Sequence, residues 1–560
     1  MKRLIVFWIL CLSLAACAGT SRTEEQNLLP VPRPPLSVPE EEPSFDGVEP
    51  GYAETRPRSS VRDELTVTFS SGNVELDFRK AYLSQEAQIF TGIYEGLFSY
   101  NPYSLEPEAA IARRWQTSDD KKTWTFTLRK NAKYQNGDSI KAEDFRAAWL
   151  SLLEPGRDAP YSSLFDIIKG AREYRLGQNN DPRQVGISVN DDETLVVELN
   201  NPAVFFPSML CHHSFSPIHP SMLDDRAWAS GKLVSNGPFY LEDYSSDRMT
   251  LRKNEYYWDS DSVALNKLTL KFAKDDEDAA SLWNSGESRW IAGNVDTNAL
   301  TDLSGVLVNA MFATHYYYIR SAKRPWDDYR LRRALVLALP WKELRQGYFL
   351  PAKTLIFPLP GYPEIEGLEK DNIEEARKLL EEAGFAGGAG LPSLVIRITP
   401  SEEAERIAHI MASAWINELG IETKTDVVPY RNYFQSLKQN DYDIGATTWV
   451  GDFADPYTFL QMWRRDSNLN DARYNDADYE ALMEKSMTEE GDRRWRTLAE
   501  AEELLLNRGS VLPISYSPAL NIVDTDELAG WYPNALDLHP FKYFSFKGFR
   551  PLPGVAMGKL

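Results

Sequence analysis

Between residues 372 and 427 the chain changes its hydrophobic period from helix to strand and back, and that alternation restricts its fold more than any other feature. NIEEARKLLEEAG (372–384) opens on Asn372 as an N-cap, carries acids in its first turn and stops at Gly384, a C′ position that suits a residue free of Cβ strain; a helix is expected. LVIRIT (394–399) alternates as a strand does. Residues 401–420 then set Ile407, Met411, Ala414 and Leu419 near one helical face before Gly420, and IETKTDVV returns to a strand pattern. Successive βα units bury both faces of a sheet, so an α/β lobe with a largely parallel sheet is expected. No repeat is evident along the chain.

The N-terminus bounds the compartment. MKRLIVFWILCLSLAAC places Lys2 and Arg3 before an apolar run and small residues before Cys17, the pattern of a secretory signal over 1–17. Its end, LAAC, resembles the lipobox of bacterial lipoproteins, which makes Cys17 the expected lipidation site. No later stretch reaches the ~18 apolar residues of a membrane-spanning helix, so the membrane is expected to be met through the N-terminal lipid only. Residues 18–62, rich in Pro, Glu and Ser, cannot bury enough apolar surface to offset the entropy of ordering and read as a flexible tether. Beyond it lies a body whose 43% hydrophobic and 12% aromatic composition supports a large core and two or more domains. Cys211 is the one cysteine left in that body, so the core is expected to hold it without a disulfide.

A net charge of −21 opposes nucleic acid as a partner and leaves room for a ligand bearing positive charge. The sequence carries no G-x-S-x-G, H-E-x-x-H, P-loop or dinucleotide signature, so neither a catalytic residue nor a cofactor is expected. Cys211, His212, His213 and His219 form a tempting cluster. VFFPSMLCHHSFSPIHPSML nevertheless reads as a buried strand entering a Pro-punctuated loop, and adjacent histidines on a strand point to opposite faces, so no metal site is expected there.

The stretch DIGATTWVGDFADPYTFL (443–460) poses the functional question. A short strand pattern and a tryptophan precede Asp452 and Asp455, which are open to three readings: acid and base, metal ligands, or receptor for a positive charge. Three residues apart in one loop is a poor way to flank a scissile bond, which disfavours the first. Asp452 also suits a turn, and Asp455, before Pro456, suits the start of a helix.

A set of long motifs in fixed order bears on that choice. IYEGLFSYNP (93–102), LEPEAAIARRWQTSDDKKTWTFTLRKNAKYQNGDSIKAEDFRAAWLSLLEP (105–155), SNGPFYLEDY with LRKNEYYW (235–258), and YYYIRSAKRPWDDYRLRRALVLAL (316–339) resemble the oligopeptide-binding proteins of bacterial ABC importers, solute-binding family 5, from about Leu65 to Phe546. Read from its own residues, the second motif is a hairpin feeding a helix: TWTFTLRK alternates, and Asn-Gly is a tight-turn dipeptide.

The resemblance implies a two-lobed periplasmic-binding-protein type II fold of the larger kind, with an extra inserted subdomain (cluster C type). Lobe one is then expected from 63–310 plus 515–550 with an insertion at about 94–225, and lobe two from 311–514. MFATHYYYIR and VLPISYSP, both strand-like, are the expected crossings. The family pattern puts the ligand's α-ammonium on Asp452, peptide backbone along Thr448 and Val450 with Gly451 beside them, and side-chain pockets at Trp449, Tyr430 and Phe434. Tyr161 matches a tyrosine assisting at the ammonium end, and RKAYLSQEA (79–87) matches a first-lobe strand with Tyr82 and Ser84 in contact.

Departures stand beside these matches. Ala446 replaces an arginine that some relatives use for the ligand carboxylate, Lys438 is left as a basic residue for longer peptides, and Pro340 replaces a usual aspartate. The expectation is a monomeric, lipid-anchored extracytoplasmic protein, on the periplasmic or cell-surface side, that passes oligopeptides to ABC-importer permease subunits. A peptide-sensing or chaperone-like lipoprotein and a secreted hydrolase using Asp452 and Asp455 are the alternatives.

Overall fold

Asn372 accepts the N–H of Glu375 at the start of the helix Ile373–Glu382, and Gly384 follows with φ +89°. The same logic sets the helix Glu402–Leu419, where Ser401 accepts from Ala404 and the left-handed Gly420 ends the run, with Ile407, Met411, Trp415 and Leu419 turned inward. The computed structural model to which these elements belong describes residues 29–30, 63–70, 74–228, 232–359 and 361–547. The signal pattern, Cys17 and, apart from Leu29 and Pro30, the tether lie outside the described residues.

A ten-stranded sheet is built from β1 (Glu64–Phe69), β2 (Phe239–Tyr244), β3 (Arg248–Lys253), β4 (Lys267–Phe272), β5 (Trp290–Ile291), β6 (Val306–Ile319), β7 (Leu394–Ile398), β8 (Thr423–Val427), β9 (Ile444–Val450) and β10 (Val511–Val523). Its order is β8-β7-β9-β6-β10-β5-β1-β4-β3-β2. The long strands β6 and β10 pair antiparallel from Val306↔Ile522 to Tyr318↔Val511, with irregularities around Ala310 to Thr314. β5 joins β10 only at Ile522 and Val523, whereas β9 joins β6 only from Ala313 to Ile319. Each long strand therefore serves one half of the sheet at one end and the other half at the other end. MFATHYYYIR and VLPISYSP are these two strands.

The sheet as a whole is mixed: the βα strands of the expected lobe pair in parallel, and the long strands β6 and β10 add antiparallel pairs beside them. The βα segments do pair in parallel, β7 with β8 and with β9, as does β1 with β4 and β5. Two long strands running in opposite directions and the meander β2-β3-β4 impose antiparallel pairing elsewhere.

A second sheet contains Ala112–Thr117, Thr123–Leu128, Thr194–Glu198 and Ile187–Asp191, with Leu29–Pro30 on its edge opposite Trp115 and Arg114. TWTFTL alternates as its pattern demands, burying Trp124, Phe126 and Leu128. The helix Ala142–Leu152 that follows is closed at its start by the Asp144 carboxylate, which accepts the N–H of Lys141 at 2.9 Å.

Two strand expectations are overturned. RKAYLSQEA is not a strand: Glu86 accepts the N–H groups of Tyr82 and Leu83, and this cap starts the helix Ser84–Ile93. The Cys-His-His region is not one either. Phe206–Met209 is a short helix with Pro207 in its first turn, and His213–Phe215 is a 3₁₀ turn.

The chain's end closes the core of the first half. Trp290 of β5 meets Phe69, Trp531, His539, Phe541 and Phe544 edge-on at centroid distances of 5.2–6.4 Å. Nearby, Glu95 accepts from Tyr257 Oη (2.6 Å), Trp258 Nε1 (2.6 Å) and Lys542 Nζ (2.8 Å), so this buried ion pair is also hydrogen-bonded.

Candidate functional site

β9 leaves the sheet at Gly451. Its N–H donates to Phe312 O at 2.8 Å, and a Cβ at this position would stand 2.5 Å from the Phe312 ring, so glycine permits the close approach. The next residues are fixed one by one. Asp452 N donates to Thr458 Oγ1 (2.9 Å), Tyr100 Oη donates to Asp452 O (2.6 Å), and Phe453 stacks on Phe205 with centroids 6.1 Å apart. Asp455 accepts the N–H of Tyr457, which begins the helix Tyr457–Leu460.

The two aspartates thereby acquire different jobs. Asp455 takes both nitrogens of Arg494 at 2.7 and 2.8 Å, with both side chains buried, so its charge is spent in the fold. Asp452, with 8% of its side chain exposed, meets only hydroxyls and an imidazole: Tyr161 Oη at 3.2 Å, Thr458 Oγ1 at 3.1 Å and His212 Nε2 at 3.7 Å. Among the described residues no lysine or arginine lies within ion-pair distance of it. Burial raises its pKa from 3.8 to about 7, against the opposing effect of the Thr458 and Tyr161 hydrogen bonds. The acid–base pairing of Asp452 with Asp455 is thus overturned, because one of the two carboxylates already has a full partner.

A crevice opens beside Asp452. Thr448, Trp449, Val450, Gly451 and Asp452 line one wall, and Tyr82, Ser84 and Tyr161 line the other with the helix Ser84–Ile93. On the edge of β9 that faces away from β6, β7 pairs only at Ile444 and the Tyr433 hydroxyl takes Ala446, accepting its N–H at 3.0 Å and donating to its carbonyl at 2.8 Å; from Thr447 to Val450 no strand pairs with this edge among the described residues. Trp449 is 8% exposed, and its Nε1 is buried without a partner.

Three expected residues stand apart from this lining. Phe434 meets the Tyr82 ring edge-on at 6.5 Å, Tyr430 meets Phe434 edge-on at 5.8 Å and is 63% exposed, and Lys438 is engaged by Asp471 at 2.8 Å and by Asn468 O.

His212 and His213 also line the crevice, although the strand reading set them aside. Their rings are 4.0 Å apart, and both meet Tyr161, at 4.4 and 5.6 Å. A turn, unlike a strand, lets neighbouring side chains share a face. His212 Nδ1 accepts from Ser214 N at 3.3 Å, which leaves the proton on Nε2, the nitrogen turned toward Asp452. Burial, then the neighbouring His213, holds the pKa of His212 well below its usual value, and burial takes His213 to about 3. His219 lies elsewhere, bonded to Asp138 and Ser221. No group of three metal-ligating side chains is assembled among the described residues.

Comparison with known proteins places this geometry. The family described as bacterial extracellular solute-binding proteins, family 5, matches residues 106–471. The oligopeptide-binding protein OppA of Bacillus subtilis is 30% identical over 447 residues, covering 76% of this chain and 82% of its own. The murein tripeptide-binding protein MppA of Escherichia coli superposes with a TM-score of 0.77 at 25% identity, over 87% of this chain and 98% of that one. Against an unliganded open form of MppA, at 26% identity over 87% of this chain and 97% of that one, the score is 0.59, so the lobes here stand in an arrangement unlike that open form. The fold is the two-lobed type II binding-protein fold, and family 5 consists of binding proteins, not enzymes. By its sequence and its fold together, this chain belongs to family 5 of the bacterial extracellular solute-binding proteins.

Proposed function

We propose that this protein captures oligopeptides in the crevice beside β9 and hands them to the permease of an ABC importer, held at the membrane by a lipid on Cys17. Lobe one is assigned to 63–310 and 515–550, including an insertion at about 94–225, and lobe two to 311–514; the ligand sits between them. Asp452 takes the α-ammonium. The observation that carries this reading is a buried carboxylate without a cationic partner at the end of an unpaired strand edge. A charge in that position costs free energy until a ligand supplies its opposite. An extended peptide offers an ammonium at one end and strand-pairing groups behind it, so one molecule satisfies both Asp452 and the edge of β9 from Thr447 to Val450, beyond the Ala446 groups that Tyr433 already takes.

The relatives add support. OppA of B. subtilis is an oligopeptide-binding protein and MppA a murein tripeptide-binding protein, and both cover most of this chain. Native mass spectrometry of the protein as purified tests the reading. A ladder of bound masses separated by amino-acid residues supports it, and a single metal or haem mass contradicts it.

A further inference from the structure

We propose that Asp537 is a specificity-determining residue, its open Oδ2 receiving the side-chain ammonium of a lysine at the first position of the bound peptide. This rests on the ammonium site at Asp452 and goes beyond it, because it says which first residues the site prefers.

Apart from the two neutral histidines, the acidic and basic residues lining the crevice are Glu95, Asp452, Asp537 and Lys542. Lys542 bonds Glu95 at 2.8 Å, so those two neutralise each other, and Asp452 takes the α-ammonium. Asp537 is left without a cation. Its Oδ1 accepts from Asn521 Nδ2 at 2.8 Å and stands 3.1 Å from His539 Nε2. Both partners belong to the fold, since Asn521 also bonds Trp290 and His539 stacks on Trp531. Oδ2 has no hydrogen bond, and no lysine or arginine within ion-pair distance, among the described residues; with the side chain 29% exposed, this oxygen keeps accessible surface.

Phe312 ties the two carboxylates to one place. Its N–H donates to Ala535 O at 2.7 Å and its carbonyl accepts from Gly451 N at 2.8 Å, so the turn carrying Asp537 and the loop carrying Asp452 leave from the same residue of β6. Asn534 Oδ1 holds that turn by accepting from Leu536 N and Leu538 N at 3.1 and 3.3 Å, and Asp537 itself takes left-handed backbone, φ +51°. The acceptor is thereby fixed before a ligand arrives.

The surroundings sharpen the class. Leu536, Leu538 and Pro540 line the crevice with Asp537, apolar contacts that suit a methylene stem. With Oδ1 already bonded, one oxygen is open, which suits the point charge of an ammonium better than the two-pronged guanidinium of arginine. Norleucine has the same stem without the charge, so it fills the space and leaves Oδ2 without a partner.

Calorimetry with Lys-Ala-Ala, Arg-Ala-Ala and the norleucine analogue of the same tripeptide tests this in wild type and in Asp537→Asn. Asparagine keeps an acceptor for Asn521 and tolerates left-handed backbone, so the turn should survive the change. Wild type is expected to bind the lysine peptide about tenfold or more tightly than the norleucine peptide, with the arginine peptide between them. Asp537→Asn should bring the lysine peptide down to the level of the norleucine peptide. A check on wild type needs no variant: the carboxyl carbon resonance of Asp537 should move with the lysine peptide and not with the norleucine one. Equal binding of the lysine and norleucine peptides to wild type, an arginine peptide bound more tightly than the lysine peptide, a preference that survives in Asp537→Asn, or an unmoved resonance overturns the assignment. If wild type binds none of the peptides, the ammonium reading fails and takes this one with it, an outcome distinct from equal binding of all.

Discussion

Arg494 holds Asp455 through two buried hydrogen bonds of 2.7 and 2.8 Å, and the guanidinium also lies 4.3 Å above the ring of Phe205. Removing the carboxylate leaves a buried cation without its partner, at a typical cost of ~3–5 kcal/mol. Asp455→Asn should therefore lower the thermal midpoint of the empty protein markedly. Asp452→Asn removes a buried charge that has no cation to strand, so denaturation at neutral pH should show no loss of stability and even a gain.

The contrast between these aspartates shows what the sequence could and could not carry. From DFADP, Asp452 reads as a turn or ligand residue and Asp455 as the start of a helix, which its bond from Tyr457 N matches, but only the fold brings Arg494 to Asp455. Elements fixed by local rules were legible: Asn372 and Gly384 bound one helix, Ser401 and Gly420 another, and alternation in LVIRI marks β7. Segments shaped by distant contacts were not. Glu86 turns 82–84 into a helix start by capping, and Pro207 serves a helix too short to show a period. The pairing of His212 with His213 followed from that same misread segment. Eight of the residues named through the family pattern line the crevice, in two short stretches and at Tyr161. Lys438 reads as a free basic residue until Asp471, distant in sequence, is placed beside it.

Protonation gives a second prediction. Asp452 stands at about 7 when folded against 3.8 ordinarily, so between these values the folded empty protein holds a proton that the unfolded chain has lost. The contribution of Asp452 to stability thus rises as pH falls through that window and levels off below it. Ammonium binding has the opposite sign, since it needs the carboxylate. Affinity should fall by about tenfold per pH unit below ~7, with His212 and His213 neutral throughout. Calorimetry across pH 5 to 8 reads this slope, and Asp452→Asn should flatten it.

Closure is the third. Asn468 Nδ2 donates to Ala159 O (2.8 Å) and Ser162 Oγ (3.1 Å), Ser163 Oγ donates to Gln461 Oε1 (3.1 Å), and Arg172 Nε donates to Asp466 (2.8 Å). These bonds join the segment around the 3₁₀ turn Ser162–Ile167 to the segment after the Asp452 loop. Asn468→Ala should favour separation by ~1 kcal/mol per bond lost and weaken affinity about fivefold or more. Scattering should give a smaller radius of gyration for wild type with ligand than without. An unchanged radius in a demonstrably bound sample contradicts lobe movement.

Anchoring is the fourth. Cys17 follows LAA at the end of the apolar run, so Cys17→Ser should release the protein from the membrane fraction. Unaltered retention would mean that something other than the lipid holds it.

The central claim is that Asp452 receives a ligand ammonium inside the closed crevice, and it is tested most directly by calorimetry of free and N-acetylated forms of one tripeptide. Acetylation removes the charge and leaves the buried carboxylate unpaired, a loss of ~3–5 kcal/mol, or roughly 10² to several times 10³ in affinity. Wild type should show that loss, and Asp452→Asn, already weak toward the free peptide, should lose little more on acetylation. Equal binding of the free and acetylated peptides by wild type would contradict the account and leave the DFADP loop as a turn.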